Sequence, residues 1–247
     1  MLNNKVQPME NKRVSTGIPG LDPLIEGGFP AGKSYLITGE SGTGKSIFCM
    51  QFILKGLLEG EKAVYVAVDE KPADILEEAS SLGWDLLKYV EQKNLLILDA
   101  SPLFSARMGA GKEKEVDIQK TVGDLASYVG KMGASRVVID PVGPLILSRD
   151  SSARAQEHVR TLVHALQDNL GTTNLLTSYA IAGTAGAGEG GVEEFLVAGV
   201  IVLSVVRMQN RLVRTLLLRK MRGTAIDLME HQFNIVKEKG IVLKPIL

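Results

Sequence analysis

Apolar and polar positions alternate along the chain in blocks that predict strands and helices in turn. Short, almost continuous apolar runs are typical of strands buried on both faces, and the segments between them favour helices. The predicted strands are Ser34–Thr38, Lys62–Val68, Asn94–Leu98, Arg136–Asp140 and Thr173–Thr177. The predicted helices are Lys45–Leu58, Pro72–Leu82, Val116–Lys131 and Ser152–Asn169. This order predicts an α/β fold, with a mostly parallel sheet covered by helices on both faces.

The two ends of the chain depart from this alternation. Residues 1–12 predict a flexible tail, and Val14–Gly32 contains so many Gly and Pro residues that we expect turns and one short helix there. After Gly191, closely spaced strand-like runs predict a hairpin and an antiparallel edge of the sheet. These runs are Val200–Val206, Leu212–Leu218, Gln232–Val236 and Ile241–Leu243. No linker or repeat interrupts residues 13–247, so we expect them to form a single domain.

The composition excludes some classes of protein. The 247 residues include 28 Lys and Arg against 28 Asp and Glu, which excludes a strongly basic protein held to nucleic acid by its net charge. The single cysteine, Cys49, cannot form an intrachain disulfide, and this fits a reducing cytoplasm. The N-terminal residues lack the apolar segment of a signal peptide. The most apolar uncharged run, Phe195–Val206, has only 12 residues, whereas a helix that spans a membrane needs about 18. We therefore expect no membrane-spanning segment.

One motif indicates a specific chemistry. Gly39-Glu-Ser-Gly-Thr-Gly-Lys-Ser46 matches G-x-x-x-x-G-K-[ST], directly after a predicted strand and at the start of a predicted helix. Glycines in such a loop let main-chain N–H groups surround phosphate oxygens, and the positive end of the helix dipole adds to the attraction. We expect Lys45 to reach the β- and γ-phosphates of ATP and Ser46 Oγ to bind Mg²⁺. The predicted phosphate-binding residues are Gly39, Glu40, Ser41, Gly42, Thr43, Gly44, Lys45 and Ser46.

Carboxylates stand at the ends of two other predicted strands. Asp140 ends the apolar run that begins at Val137, and we expect it to hold Mg²⁺ through a water molecule. The alternative is an ordinary strand end before the turn residue Pro141. The pair Asp69-Glu70 follows the second predicted strand, where parallel sheets bind ligands, and either carboxylate can activate a water molecule. The alternative is that both acids only favour the N-terminus of the next helix.

The motifs taken together resemble a known family, the KaiC-like branch of the RecA/RadA ATPases. Besides the P-loop, the resemblance rests on Thr16–Asp22, Gly27–Pro30, Val64–Glu70, Gly191–Phe195 and Arg219–Thr224. It implies a RecA-like core and a homo-oligomer, usually a hexameric ring, that binds ATP between protomers. It also implies that the acidic pair, Asp69 and Glu70, activates the attacking water, and that Lys220 and Arg222 reach the γ-phosphate bound by a neighbouring subunit. Two strand residues two apart point the same way, as this contact requires.

One position departs from the family pattern. The first acid of the pair is usually Glu and usually catalytic in that family, whereas this chain has the shorter Asp69. Either Glu70 takes over the role or hydrolysis is slow. The sequence therefore predicts an oligomeric, slowly hydrolysing MgATPase that acts as a switch, and it does not identify a partner protein.

Three other functions are compatible with parts of this sequence to different degrees. An ATP-binding scaffold without turnover stays open. A recombination accessory protein that binds single-stranded DNA is not favoured, because the expected DNA-binding loops, Leu147–Arg154 and Tyr179–Glu194, contain few cations and aromatic residues. An autokinase is disfavoured, because the chain has one P-loop and Gly188–Val192 lacks adjacent Ser or Thr acceptors.

Overall fold

The structure is a computed structural model, and its main feature is a nine-stranded sheet. It describes residues 12–100, 118–143, 171–179 and 196–245, together with residues 157, 160–164, 166 and 194. The predicted tail at 1–12 therefore lies almost wholly outside the described residues. So does most of the predicted helix Ser152–Asn169, of which residues 157, 160–164 and 166 are described and helical. None of the described helices is long and apolar enough to cross a bilayer.

The elements follow the predicted alternation of strands and helices. The strands are β1 (Arg13–Val14), β2 (Phe29–Pro30), β3 (Ser34–Gly39), β4 (Ala63–Ala67), β5 (Leu95–Asp99), β6 (Arg136–Asp140), β7 (Thr173–Tyr179), β8 (Gly199–Met208), β9 (Arg211–Met221), β10 (Glu230–Val236) and β11 (Gly240–Leu243). The helices are α1 (Lys45–Leu58), α2 (Pro72–Ser81), α3 (Leu87–Glu91) and α4 (Ile118–Met132), and a 3-10 helix spans Asp22–Ile25. The short pair of strands β1 and β2 and helix α3 were not predicted.

The strand order of the sheet is β11-β10-β9-β8-β3-β7-β6-β4-β5. The strands from β8 to β5 pair in parallel, whereas β9, β10 and β11 add an antiparallel edge, which confirms the predicted fold class. Strand β3 lies between β7 and β8, so the predicted P-loop leaves the sheet from an interior strand. The carboxyl ends of β4, β6 and β7 lie on the same side as this loop, because all these strands are parallel.

Two apolar clusters cover the two faces of the sheet. Alternate residues of β3 join different clusters: Tyr35 and Ile37 pack with the side chains of α1, whereas Leu36 packs with those of α4. Period-two alternation of this kind is what a strand buried on both sides requires. The sheet is therefore fixed from both faces, and the loops at its carboxyl edge are held by a rigid support.

A buried arginine joins helix α1 to the sheet. Arg136, at the start of β6, is 1% exposed, and its Nη1 donates to the main-chain oxygens of Ser15 (2.8 Å) and Phe52 (2.9 Å). Its Nε donates to Glu61 at 2.7 Å. Burial alone would raise the pKa of Glu61, but the hydrogen bonds from Arg136 and Ser135 lower it below its usual value. Since a buried guanidinium needs such partners, this network fixes how α1 lies against β6.

Candidate nucleotide-binding site

The predicted P-loop connects the end of β3 to the start of α1. Gly39 passes so close to β8 that a Cβ atom there would lie 2.2 Å from the main-chain oxygen of Leu203. Gly44, the residue before α1, has a φ of 108°, which a residue with a side chain rarely adopts. No side chain in the described part of the chain caps the helix start. The loop therefore presents main-chain N–H groups at the positive end of a helix, the arrangement that binds anions.

Lys45 lies against its own loop. Its Nζ donates to the main-chain oxygens of Gly39 and Glu40, each at 2.9 Å, and lies 4.7 Å from the centre of the Tyr179 ring. Burial lowers the pKa of Lys45, and the nearby Asp140 carboxylate partly offsets this effect. The lysine is thus a buried cation whose present acceptors are carbonyl dipoles and one aromatic face.

Asp140 is held by two hydroxyl groups from neighbouring strands. The hydroxyl of Tyr65 on β4 donates to Oδ2 at 2.6 Å, and that of Thr177 on β7 donates to Oδ1. Burial raises the pKa of Tyr65, and the Asp140 charge raises it further, so the phenol stays a proton donor. The structure places Asp140 and Ser46 on the same cleft, as the sequence predicted. The two hydroxyl partners were not predicted.

The acidic wall of the cleft contains one more carboxylate than expected. Asp69 and Glu70 follow β4 and line the cleft, and Glu78 reaches it from α2. The pKa of Glu70 is raised by burial first and then by Asp140, and the pKa of Glu78 is raised by burial and then by Glu70. The signal for Glu78 was present in the sequence: it follows the buried Ile75 by three residues, so both lie on one helix face.

The opposite wall contains an arginine that was not predicted from the sequence to belong to the site. Arg214 on β9 lines the cleft together with Ile235 on β10, and its Nη2 lies 3.5 Å from the main-chain oxygen of Gly42. Its Nε is buried and has no hydrogen-bond partner among the described residues. An unpaired buried donor is costly, so an acceptor from a ligand would stabilise it.

The cleft between these walls has a volume of about 250 Å³. Among the described residues that line it, four are acidic and two are basic: Asp69, Glu70, Glu78 and Asp140 against Lys45 and Arg214. The described part of the chain contains no group of three His, Cys, Asp or Glu side chains placed to hold a metal ion. A cation here would therefore need oxygen ligands from the nucleotide or from water, which is how Mg²⁺ binds at phosphate sites.

The other predicted site residues lie apart from this cleft. Lys220 stands near the end of β9 and Arg222 directly after it, and neither belongs to the described lining of the P-loop cleft. Of the loops considered for DNA binding, Leu147–Arg154 lies outside the described residues, and Tyr179–Glu194 is described only at its two ends. At those ends, Tyr179 lines the P-loop cleft and Glu194 pairs with Arg219.

Comparisons with known proteins agree with this geometry. The family model described as "ATPase: KaiC" matches residues 14–247. A UPF0273 protein of Methanopyrus kandleri is 37% identical over 244 residues, which are 96% of this chain and 94% of that protein. The circadian clock oscillator protein KaiC of Synechococcus elongatus is 35% identical over 99% of this chain, which spans 46% of the clock protein.

A solved structure has the same fold. The crystal structure of a KaiC-like protein from the hyperthermophilic archaeon Pyrococcus horikoshii aligns with a TM-score of 0.80 and 35% sequence identity, and covers 95% of this chain and 99% of that one. The family model and these relatives match nearly the whole length of the chain, including the P-loop and the strands that place Asp140 beside it. The chain therefore belongs to the KaiC family of ATPases.

Proposed function

We propose that this chain binds MgATP in the cleft at Gly39–Ser46 and hydrolyses it slowly as a homo-oligomer, acting as a nucleotide-dependent switch. The observation that carries the proposal is the convergence, on one cleft, of an uncapped helix start, Lys45, Ser46 and Asp140. These groups come from two separate segments of the chain, the P-loop with the start of α1 and the end of β6, and their joint position matches the needs of a bound polyphosphate.

The described residues fit both components of MgATP. The helix start and Lys45 supply donors for the phosphates, and the buried Nε of Arg214 is a further donor with no acceptor in the part of the chain that the structure describes. Ser46 and Asp140 supply the hard oxygen ligands that Mg²⁺ prefers, and the excess of carboxylates in the cleft favours a metal cation over a bare anion. Mg²⁺, when bound, neutralises charge on the β- and γ-phosphates.

Each of the residues at the site then has a distinct role. Lys45 exchanges its two carbonyl acceptors for phosphate oxygens, and Asp140 is held in place by Tyr65 and Thr177. Either Asp69 or Glu70 accepts the proton of the attacking water. Glu70 is better suited, because Asp69 is one methylene shorter than the Glu that is usual in the family, and because the raised pKa of Glu70 makes its carboxylate a stronger base.

The site is proposed to be completed by a neighbouring subunit. Lys220 and Arg222 lie outside their own cleft, and family membership supports the proposal that they contact the γ-phosphate bound by the next protomer of a ring. Two cations in this position would stabilise the charge that develops during phosphoryl transfer. Turnover per chain is then expected to depend on assembly.

Phosphate release measured over a range of protein concentrations tests the proposal. We expect turnover per chain to rise with concentration, Lys45→Ala to abolish ATP binding or turnover, and Arg222→Ala to reduce turnover while ATP binding stays nearly intact. Comparison of Asp69→Asn with Glu70→Gln in the same assay identifies the base. Equal phosphate release by the wild type, Lys45→Ala and Arg222→Ala would refute the assignment.

The second candidate function is an ATP-binding scaffold without significant turnover. The shorter Asp69 favours it, because it stands where the family usually has the longer catalytic acid. Intact ATP binding with no phosphate release at any protein concentration would support this function over the first.

A further inference from the structure

Glu194 holds two neighbouring cations of β9 in two different ways. Its carboxylate oxygens accept hydrogen bonds from Arg219 Nη1 at 2.9 and 3.0 Å, and its main-chain oxygen accepts one from Lys220 Nζ at 2.8 Å. The Glu194 side chain is only 15% exposed, so its ion pair is shielded more than a typical surface pair. A displacement of Glu194 would therefore change a contact of both cations at once.

The contact lies at an irregularity of the strand. On β8, Val200 pairs with Lys220 and Ile201 pairs with Leu218, so Arg219 is an extra residue opposite that step. Such a bulge changes the direction of the side chains that follow it. The core residues of β9 show this change, because Leu216 and Leu218 are two apart, whereas the next core residue is Met221. Lys220 is thus turned out of the position that regular alternation would give it.

The charges near the bulge need a fixed arrangement. The pKa of Lys220 is lowered by burial first and then by the neighbouring charge of Arg222, while Glu194 partly offsets these effects. The charges of Lys220 and Arg222 repel each other, so a contact that fixes one of them also affects the position of the other. The main-chain oxygen of Glu194 holds Lys220. The Glu194 carboxylate holds Arg219, the bulged residue that sets the direction of Lys220 and Arg222.

We propose that Glu194 is a positioning residue for the contact between subunits: it fixes the direction in which Lys220 and Arg222 leave β9 toward the nucleotide of the neighbouring protomer. The inference rests on the proposed function, in which those two residues complete the neighbour's site. Tyr179 lines the P-loop cleft of the same chain. In the sequence, Glu194 lies 15 residues after Tyr179. The same segment of sequence therefore has one end at the chain's own cleft and the other end at the cations offered to the next subunit.

The expected kinetic effect is a loss of turnover without a loss of ATP affinity. Glu194→Ala leaves the P-loop, Lys45 and Asp140 of its own chain in place, so the affinity for a fluorescent ADP analogue should stay within about twofold. Displacement of a catalytic group by about 1 Å costs up to roughly 100-fold in rate, so we expect kcat to fall about 10- to 100-fold. Glu194→Gln, which keeps the size of the side chain and one acceptor oxygen, should show a smaller loss.

A mixing experiment separates this role from a general effect on folding. Glu194→Ala chains are mixed with an excess of Lys45→Ala chains before nucleotide is added, and phosphate release is measured. The Lys45→Ala chain is not expected to hydrolyse ATP itself, but its Glu194, Lys220 and Arg222 are intact, so mixed assemblies should regain activity at the P-loops of the Glu194→Ala chains. Arg222→Ala mixed with Lys45→Ala is the positive control, and the same recovery is expected.

Each outcome decides between the inference and the proposed function. Wild-type turnover by Glu194→Ala alone overturns the inference. The inference is also overturned if Lys45→Ala chains restore phosphate release to Arg222→Ala chains but not to Glu194→Ala or Glu194→Gln chains. Glu194 would then act within its own subunit. Failure of both mixtures, or absence of turnover in the wild type, overturns the contact between subunits in the proposed function and with it the inference. Recovery in both mixtures supports the inference.

Discussion

Replacing Tyr65 by Phe removes one hydroxyl group and keeps the aromatic ring that fills the core. The hydroxyl donates to Asp140 Oδ2 at 2.6 Å, and the Tyr65 side chain is 2% exposed. A hydrogen bond to a charged group contributes about 1.5 to 3 kcal/mol, so we expect Tyr65→Phe to lower the free energy of unfolding by that amount. Asp140 would also lose one of the two hydroxyl donors that fix its orientation.

The same change should weaken magnesium binding. Loss of a partner that orients a metal-binding carboxylate typically reduces metal affinity by about 10- to 100-fold. The assay is a titration of a fluorescent ADP analogue at increasing Mg²⁺ concentration, and we expect the Mg²⁺ concentration at half saturation to rise by roughly that factor. Unfolding by urea, measured without nucleotide, gives the change in stability separately.

Tyr35→Phe provides a matched control in the neighbourhood of the same core. Tyr35 on β3 is equally buried, but its hydroxyl donates to the uncharged main-chain oxygen of Pro30 at 2.7 Å. We expect a cost of only about 0.5 to 1.5 kcal/mol and no change in the Mg²⁺ dependence of nucleotide binding. The same effect of Tyr65→Phe and Tyr35→Phe on both stability and Mg²⁺ dependence would refute the reasoning.

Two further predictions concern the support of α1 and the basic wall of the cleft. A Cβ at Gly56 would lie 2.4 Å from Nε of the buried Arg136, so Gly56→Ala should destabilise the fold by about 1 to 3 kcal/mol in urea unfolding. Gly130→Ala, on an open helix face, should stabilise the fold by up to about 1 kcal/mol. Stabilisation by both Gly56→Ala and Gly130→Ala would contradict the packing argument. Arg214→Ala should weaken binding of the ADP analogue at least about tenfold, because hydrogen bonds to charged groups are strong. Arg211→Ala, at an exposed position of the same strand, should leave the affinity unchanged. Equal affinities of the Arg214→Ala and Arg211→Ala variants would show that Arg214 does not belong to the site.

The part of the site that could be predicted from sequence is the part that is continuous or that ends a strand. The P-loop is one contiguous motif, so its position between a strand and a helix fixes its geometry. Asp140 and the pair Asp69-Glu70 each follow an apolar run, and the carboxyl ends of parallel strands meet at one edge whatever the strand order. These residues could therefore be assigned to one cleft before the topology was available.

The residues that were missed depend on strand order and register. Tyr65 and Thr177 reach Asp140 only because β6 lies between β4 and β7, and periodicity does not give the order of strands. Arg214 was not assigned to the site, because the sequence does not show that β9 and β10 pass beside the P-loop. The bulge at Arg219 was missed for a similar reason, since a run of apolar and basic residues fits more than one register.

Three small elements were missed because their sequence signals are weak. Strands β1 and β2 have two residues each, and helix α3 has five, so none of them is long enough to show a periodic pattern. Such elements depend on contacts with the rest of the fold. The side chain of Arg13 in β1 illustrates this, because it donates to the main-chain oxygens of Ile25 and Gly28.

The most direct test of the central claim is calorimetric titration of the wild type and Lys45→Ala with a non-hydrolysable ATP analogue in the presence of Mg²⁺. Lys45 Nζ donates hydrogen bonds to the main-chain oxygens of both Gly39 and Glu40, so it lies at the centre of the loop. We predict one analogue bound per wild-type chain and at least about tenfold weaker binding by Lys45→Ala, the loss expected for bonds between a cation and phosphate. Equal affinity in the two proteins, or no binding by the wild type, would contradict the account.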